Sequence, residues 1–489
     1  MTSSSSAAPL EESKSLPKAS NRRQQVSSYS VHTPSLENLA IQNLRLEDQL
    51  LQQAANETNE QTLKRLLSTK SAISTTSSFA ERQQASYLQG SGFREIGTGS
   101  IGTVLEHPGT IWAYKFALLD QSDKLWNNYL MGLQVQQSFA LRAKMSADVA
   151  IPQCMWFATA YSQFWTTYKS QIPDSRRPGD VLCMERIFPL PEVIRNKLID
   201  VFCQLDPASR EQAKKIASNK NCLIRPYLGR ARITSGQSRL RAFSLRNYKL
   251  HLDQIQYIGL DVEELASSMA KAMAIMHWDI GIDAADAEFV LGSSPTVEGT
   301  VPPAANDITS LLRTAEKVDT FREVTISNPN FKQRLVTLWL LDFDACGKIN
   351  TNAAGVQRAV KAFLENEPYC PRPNGGSNYC DHLWSVFGNQ YLETSRSILV
   401  GVDGNVASLP VSFLTGVVKA LAGSGSSQPQ ARRGDRQSQE TLPPIREGSQ
   451  YLSGQRSGRG HFRERADIGS GQPYSKLPSF QPPPGSWRR

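Results

Sequence analysis

The chain has 489 residues, 39% of them hydrophobic, with a mean hydropathy of −0.38 and a formal net charge of +9. That length gives one large or two medium domains plus tails, and no run approaches the roughly eighteen apolar residues that a membrane helix needs. The N-terminus, MTSSSSAAPLEESKS, lacks the apolar region of a secretory signal, Glu11 and Glu12 argue against a transit peptide, and seven cysteines scattered through apolar stretches suit free thiols in a reducing compartment, cytoplasm or nucleus.

Residues 1–34 are Ser-rich and read as disordered. An amphipathic helix is expected over 35–68, opened by Thr33-Pro34-Ser35. Leu36, Leu39, Asn43, Leu46 and Leu50 alternate in steps of three and four, a short heptad seam with an inner Asn, continued weakly by Leu63, Leu66 and Leu67. Self-association through 36–50 and a lone helix lying on the domain both fit so short a pattern. A Ser/Thr-rich linker at 68–78 leads to the stretch 93–115, which reads as strand, glycine loop, strand, turn and strand. Gly97, Gly99 and Gly102 stand in the order G-x-G-x-x-G-x-V, ending on Val104; His107-Pro108-Gly109 makes the turn, and Ala113-Tyr114-Lys115 ends the third strand. Glycines let backbone N–H groups approach phosphate oxygens, and the lysine ammonium reaches the same phosphates. Pro108, Gly109, Ile111, Trp112 and Tyr114 disfavour the helix that a dinucleotide loop would open; a hairpin without a ligand is the other alternative.

Residues 122–142 have a helical pattern, and strands are expected at 149–157 and 163–168. Residues 181–189 read as a buried strand running into a proline-stopped connector, 192–220 as helical and 222–227 as a strand. Asp261 and Glu264 form a capping box ahead of Val262, Leu265, Met269, Met273 and Met276, methionines that read as core. Asp279, Asp283, Asp286 and Glu288 then crowd a loop before the strand 289–291. A divalent cation or nearby basic groups would relieve their repulsion. The apolar run 338–341 ends in Asp342 and Asp344, which point to one side of an extended chain and make a candidate metal site. Cys370, Cys380 and His382 give a weak zinc signal, and a Pro/Gly loop between two helices is the favoured reading there. After Leu421 the composition turns to Gly, Ser, Gln, Pro and Arg, so 422–489 reads as a disordered basic tail. Its spaced charge suits nucleic acid or an acidic protein surface, although a solubilising role is commoner.

In this order the motifs resemble the protein-kinase-like superfamily: GTGSIGTV the phosphate-covering loop, Ala113-Tyr114-Lys115 the A-x-K, residues 277–291 the catalytic loop, and Leu341-Asp342-Phe343-Asp344 the metal-binding D-F-G. The resemblance implies an α+β, two-lobed protein-kinase-like fold. A small antiparallel β lobe with one helix would occupy 90–190, and a larger, mainly helical lobe 191–421, with an insertion near 192–250. It implies Mg-ATP as cofactor, with Gly97, Gly99, Gly102, Val104, Ala113, Lys115 and, in the adenine-gripping connector, Glu185 at the nucleotide. It makes Asp283 the base for an acceptor hydroxyl, with Lys115 beside it in the catalytic set, Asp342 the main metal ligand, and Glu288 and Asp344 further metal positions. A register using His277-Trp278-Asp279 leaves Ala284 at the metal position.

This sequence departs from the superfamily pattern in several places. Residues 122–142 contain no Glu to pair with Lys115, Asn127 or Asn128 being the nearest substitutes; Glu288 replaces Asn, Ala285 replaces Lys, Asp344 replaces Gly, and no A-P-E follows. LWNNYLMG, MERIFPLP, MHWDIGID and LWLLDFD are also similar to a fungal family of unknown function whose members are labelled zinc-finger proteins. That resemblance covers about 90–400 and brings no settled activity. Three readings follow. One is a Mg·ATP-dependent phosphotransferase whose acceptor is as plausibly a small molecule as a protein. Another is a catalytically degenerate kinase-fold regulator with an unknown protein partner. The tail alone supports a third, a nucleic-acid-binding regulator. No membrane association is expected.

Overall fold

The computed structural model describes residues 56–69, 72–74, 92–146, 148–232, 243–296, 310–311, 316–323, 330–373 and 375–423. The expected disordered segment 1–34, the seam at 36–50 and the basic tail from 424 onward lie outside these residues. Helix α1 (Asn59–Leu67) starts at Thr58, whose N–H donates to Gln61 Oε1 (2.8 Å) while its Oγ1 accepts from Gln61 N (3.2 Å). Leu63, Leu66 and Leu67 are buried in the main core, so this end of the seam packs within its own chain. Strand β1 (Ala72–Ser74) falls inside the expected linker.

Strands β2 (Arg94–Thr98), β3 (Gly102–Glu106) and β4 (Trp112–Ala117) follow as an antiparallel meander. Alternation along β4 sends Trp112, Tyr114 and Phe116 into an aromatic cluster with Phe93, Trp156 and Phe164, leaving Ala113 and Lys115 on the opposite face. Helix α2 (Ser122–Leu141) covers that opposite side, packing Leu125, Tyr129 and Leu133 with Ile101, Phe157 and Leu182. The expected strand at 149–157 is divided at Pro152 into β5 (Val149–Ala150) and β6 (Cys154–Ala158), which join different sheets. The expected strand at 163–168 is instead a helical turn, Phe164–Thr167, with Phe164 fully buried among seven other rings. Tertiary packing overrides β propensity there. With β7 (Val181–Glu185) the first sheet reads β2-β3-β4-β7-β6, antiparallel throughout.

The connector after β7 is pinned at both ends. Arg186 pairs with buried Glu106, Phe188 N donates to Ser293 O (2.9 Å), and the Phe188 ring meets the guanidinium groups of Arg186 (4.7 Å) and Arg334 (5.3 Å). The helical region expected at 192–220 is two helices, α3 (Glu192–Phe202) and α4 (Pro207–Lys215), divided at Asp206, which caps the second. After β8 (Ile224–Tyr227), β9 (Tyr248–His251) and α5 (Leu252–Tyr257) comes α6 (Val262–Ala274), carrying Met269 and Met273 into the core. Its Asp261 cap accepts from Glu264 N (2.9 Å), but Glu264 accepts from Thr69 Oγ1 (3.1 Å) instead of completing the capping box. A π-helical turn (Ile275–Ile280) closes α6 on Gly281, whose φ of 70° suits glycine.

Strands β10 (Glu288–Thr296) and β11 (Asn330–Leu341) pair antiparallel at the centre of a second sheet, ordered β1-β11-β10-β8-β9, with β5 also on β11. Between them the segment 316–323 reaches back to the first sheet. Thr320 N donates to Phe157 O (2.8 Å), Thr320 Oγ1 accepts from Phe157 N (2.8 Å), and Phe321 packs on Trp156. Helices α7 (Ala353–Glu365), α8 (Asn378–Ile398) and α9 (Leu409–Gly423) complete a mixed α+β fold. Contrary to expectation, one stretch, 404–422, is by length and composition apolar enough to cross a bilayer. Here it is interrupted at Ser408, and Phe413 and Val417 are buried against α7 and α8.

Candidate functional site

A cavity of about 410 Å³ is bounded by the glycine loop, β4, the connector, the edge of β8 and the ends of β10 and β11. That volume lies within the roughly 300–1,000 Å³ of small-molecule sites. Ile96, Val104 and Ala113 line it from the first sheet, Val290 from the second, and Leu223 from the approach to β8. Apolar walls of this kind are typical of small-molecule sites. Gly97 and Gly99 also line it, and a Cβ at Gly97 would project into open space. Gly102 does not line the cavity: a Cβ there would sit 2.8 Å from Phe116 O and 2.9 Å from Lys115 Cγ. Its bare Cα lets β3 lie against the lysine.

Lys115 Nζ donates to Asp342 Oδ1 at 2.8 Å and stands 3.6 Å from Asp344 Oδ2. Asp342 has a φ of 64°, which a non-glycine residue adopts only when its surroundings impose it. Helix α2 imposes it through the two asparagines that stand where a glutamate would be sought. Asn128 Oδ1 accepts from Phe343 N (3.1 Å), and its Nδ2 makes a long contact to Asp342 Oδ1 (3.4 Å). Asn127 Nδ2 donates to Asp344 O (2.8 Å) and Cys346 O (3.0 Å). These side chains thus grip the aspartate segment rather than the lysine.

Asp283 is not a lining residue. Its Oδ2 accepts from Arg358 Nε (2.6 Å) and its Oδ1 from Gly347 N (2.8 Å) and Ala285 N (3.1 Å), so both oxygens are engaged. Asp279, the alternative register, pairs with Arg142 (2.7 Å) and Ser138 of α2. Asp286 is the loop carboxylate that reaches the cavity. Its backbone, at φ 58°, is held by Asn366, which accepts from Asp286 N (2.7 Å) and donates to Ala284 O (2.8 Å). Asp344 is 7% exposed and lies behind Asp342, outside the lining.

The acidic groups perturb one another. Burial, then the charges of Asp342 and Glu367, raise Asp286. Burial and Asp342 likewise raise Asp344. Glu288 is pushed up to about 7, chiefly by burial, although Arg225 opposes the shift with an ion pair at 2.6 Å. That pair offsets the negative charge that Glu288 carries when ionised. Glu185 lines the cavity, accepts from Gln153 N (3.2 Å) and is also pushed up to about 7 by burial.

Carboxylate oxygens are the right donors for a hard divalent cation. Among the described residues no group of three or more His, Cys, Asp or Glu closes around one point. Mg²⁺ sites commonly use only one or two carboxylates, with phosphate and water completing the shell. The arrangement does not suit structural zinc: Cys370 is buried, Cys380 accepts from Ser377 Oγ (3.2 Å), and His382 pairs with Glu263 (3.0 Å).

The structure therefore brings Gly97, Gly99, Val104, Ala113, Lys115, Glu185, Glu288 and Asp342 to one cavity and leaves Gly102, Asp283 and Asp344 behind it. The sequence offers Asn128 only as a substitute partner for Lys115, not as a holder of the Asp342 segment, and Asp286 only as one more acid in the crowded loop; Arg225 carries no signal there. The profile of a family described as "Zinc finger protein" matches residues 338–402, from the end of β11 through α8. No curated protein and no solved structure matches the chain.

Proposed function

We propose that this protein is a kinase-like phosphotransferase that binds Mg·ATP in the cavity. The observation that carries the reading is the meeting of Lys115 with Asp342, Asp286 and Glu288 below a glycine loop, between apolar walls. Support for a two-lobed, kinase-like arrangement comes from the antiparallel order β2-β3-β4-β7-β6, the single long helix packed on that sheet, and the pinned connector leading into the mainly helical remainder.

Backbone N–H groups of the loop and the Lys115 ammonium hold the phosphates, while Ile96, Val104, Ala113, Leu223 and Val290 enclose the base. Mg²⁺ held by Asp342 and the phosphate oxygens would supply charge neutralisation. Arg225 keeps Glu288 from repelling those phosphates. The acceptor hydroxyl oxygen forms its bond to the γ-phosphorus as the bond to the nucleoside diphosphate breaks, and the hydroxyl proton passes to Asp286. Asp283, fully engaged with Arg358 and Gly347, holds the loop in place.

ADP formation from Mg·ATP, with water or a panel of small hydroxyl compounds as acceptor, tests this reading. Asp286→Asn should lower turnover by about 10²-fold or more while nucleotide binding persists. Asp283→Asn should mainly lower stability. Binding without turnover in the wild type would favour a second reading, a nucleotide-binding regulator. The engagement of Asp283, where the family pattern places its base, is the observation on that side.

A further inference from the structure

One wall of the cavity is used by the nucleotide reading only through the Leu223 side chain and the Arg225–Glu288 ion pair. It consists of Asn221, Leu223 and Arg225 on the approach to and start of β8, and Arg246 and Asn247 just before β9. Its backbone is fixed: Tyr248 N donates to Leu223 O (3.2 Å), Leu245 N to buried Asn219 Oδ1 (2.7 Å), and β8 runs parallel to β9 from the pair Ile224–Tyr248.

The side chains on this fixed backbone leave donors unused. Arg225 gives one amino group to Glu288, but its Nε is buried with no acceptor among the described residues. Arg246 makes no ion pair there, and neither Asn221 nor Asn247 makes a side-chain hydrogen bond there. Lys115 and Asn128 elsewhere in the lining contrast with this, since both are engaged. A buried guanidinium N–H without an acceptor is costly, and preorganised donors lining a cavity stabilise a bound acceptor group without an ordering cost.

We propose that this wall is a second subsite, which takes an oxyanion, a carboxylate or phosphate ester, on the small molecule that receives the phosphoryl group. Two guanidinium groups flanked by carboxamides match the paired oxygens of such a group, and they disfavour a cationic acceptor. The subsite's role as the acceptor site rests on the phosphotransferase reading; its affinity for an oxyanion does not.

Thermal unfolding separates the two. Inorganic phosphate and malonate serve as probes, alone and with saturating Mg²⁺ and a non-hydrolysable ATP analogue. The variants are Arg246→Ala, whose side chain is exposed, and Lys115→Ala. At roughly 100-fold above its dissociation constant a bound probe should raise Tm by about 3 °C. The proposal expects at least one probe to act with and without the analogue, the shift being lost in Arg246→Ala and kept in Lys115→Ala. Phosphate alone acting points to a phosphate ester, malonate alone to a carboxylate, and both to an oxyanion site open to either. A probe shift unchanged in Arg246→Ala, or absent from wild type, overturns the subsite. So does loss of the analogue's own shift in Arg246→Ala, which would give the wall to the nucleotide. If the analogue has no effect but the probes behave as stated, the subsite stands and the nucleotide reading falls.

Discussion

Burial holds Glu185 in its neutral form up to a pH of about 7, whereas an ordinary glutamate ionises near 4.5. The folded chain therefore binds this proton more tightly than the unfolded chain between those values. Its contribution to stability falls as pH rises through that window and is constant above it. Glu185→Gln, which keeps an acceptor for Gln153 N, should raise stability at pH 8 by roughly 1–3 kcal/mol and change little at pH 4.5. Urea unfolding at the two pH values checks this, and an equal effect at both contradicts it. Asn128→Ala tests a different residue. It removes the acceptor for Phe343 N, costing about 1–3 kcal/mol. It should also weaken metal-dependent nucleotide binding more than metal-free binding, since the freed segment carries Asp342. At this scale the meeting of Gly97, Gly99, Lys115 and Asp342 at one cavity was legible because their patterns are local, whereas Gly102 lies outside the lining. The position of Asp286 at the cavity was not legible, since the sequence pattern offered only Asp283 and Asp279: Arg358 and Asn366, some 75 and 80 residues away in sequence, hold Asp283 and the backbone of Asp286.

Helix α1 and the segment 316–323 are elements that sequence alone leaves adrift. The apolar positions of α1 suit self-association as well as internal packing, and the fold settles them inside: Leu63 has no exposed surface. Leu63→Ala should cost about 2–5 kcal/mol in chemical unfolding, and a change below about 0.5 kcal/mol would mean that α1 is not docked. The segment 316–323 had no periodic pattern to mark it. Thr320 nevertheless makes reciprocal hydrogen bonds with Phe157 and a contact with the Tyr129 hydroxyl (3.1 Å), tying the excursion between β10 and β11 to the edge strand β6. Thr320→Val leaves Phe157 N without its partner and should cost about 1–3 kcal/mol. Strand expectations held where alternation was strong, as in β4. They failed at 163–168, where one phenylalanine ring at the centre of an aromatic cluster dictates a turn.

Across the whole molecule, the cavity depends on two sheets that share no strand. The first brings Lys115 and the glycine loop; the second brings Asp342, Glu288 and Arg225. The connector at 186–190 and the segment 316–323 bridge them. A mixed α+β architecture was readable from the order of the motifs. The wall of Asn221, Arg225, Arg246 and Asn247 was not, because it is built from a stretch with no motif and gains meaning only beside Glu288. The central claim is that the ammonium at 115 and the carboxylate at 342 act on one nucleotide. Calorimetric titration of a non-hydrolysable ATP analogue with Mg²⁺ into the full chain, Lys115→Ala and Asp342→Ala tests it most directly. The prediction is saturable binding by the wild type, weakened about tenfold or more in each variant, with the magnesium dependence lost in Asp342→Ala. No binding heat at millimolar analogue, or equal affinity in all three folded proteins, would contradict it.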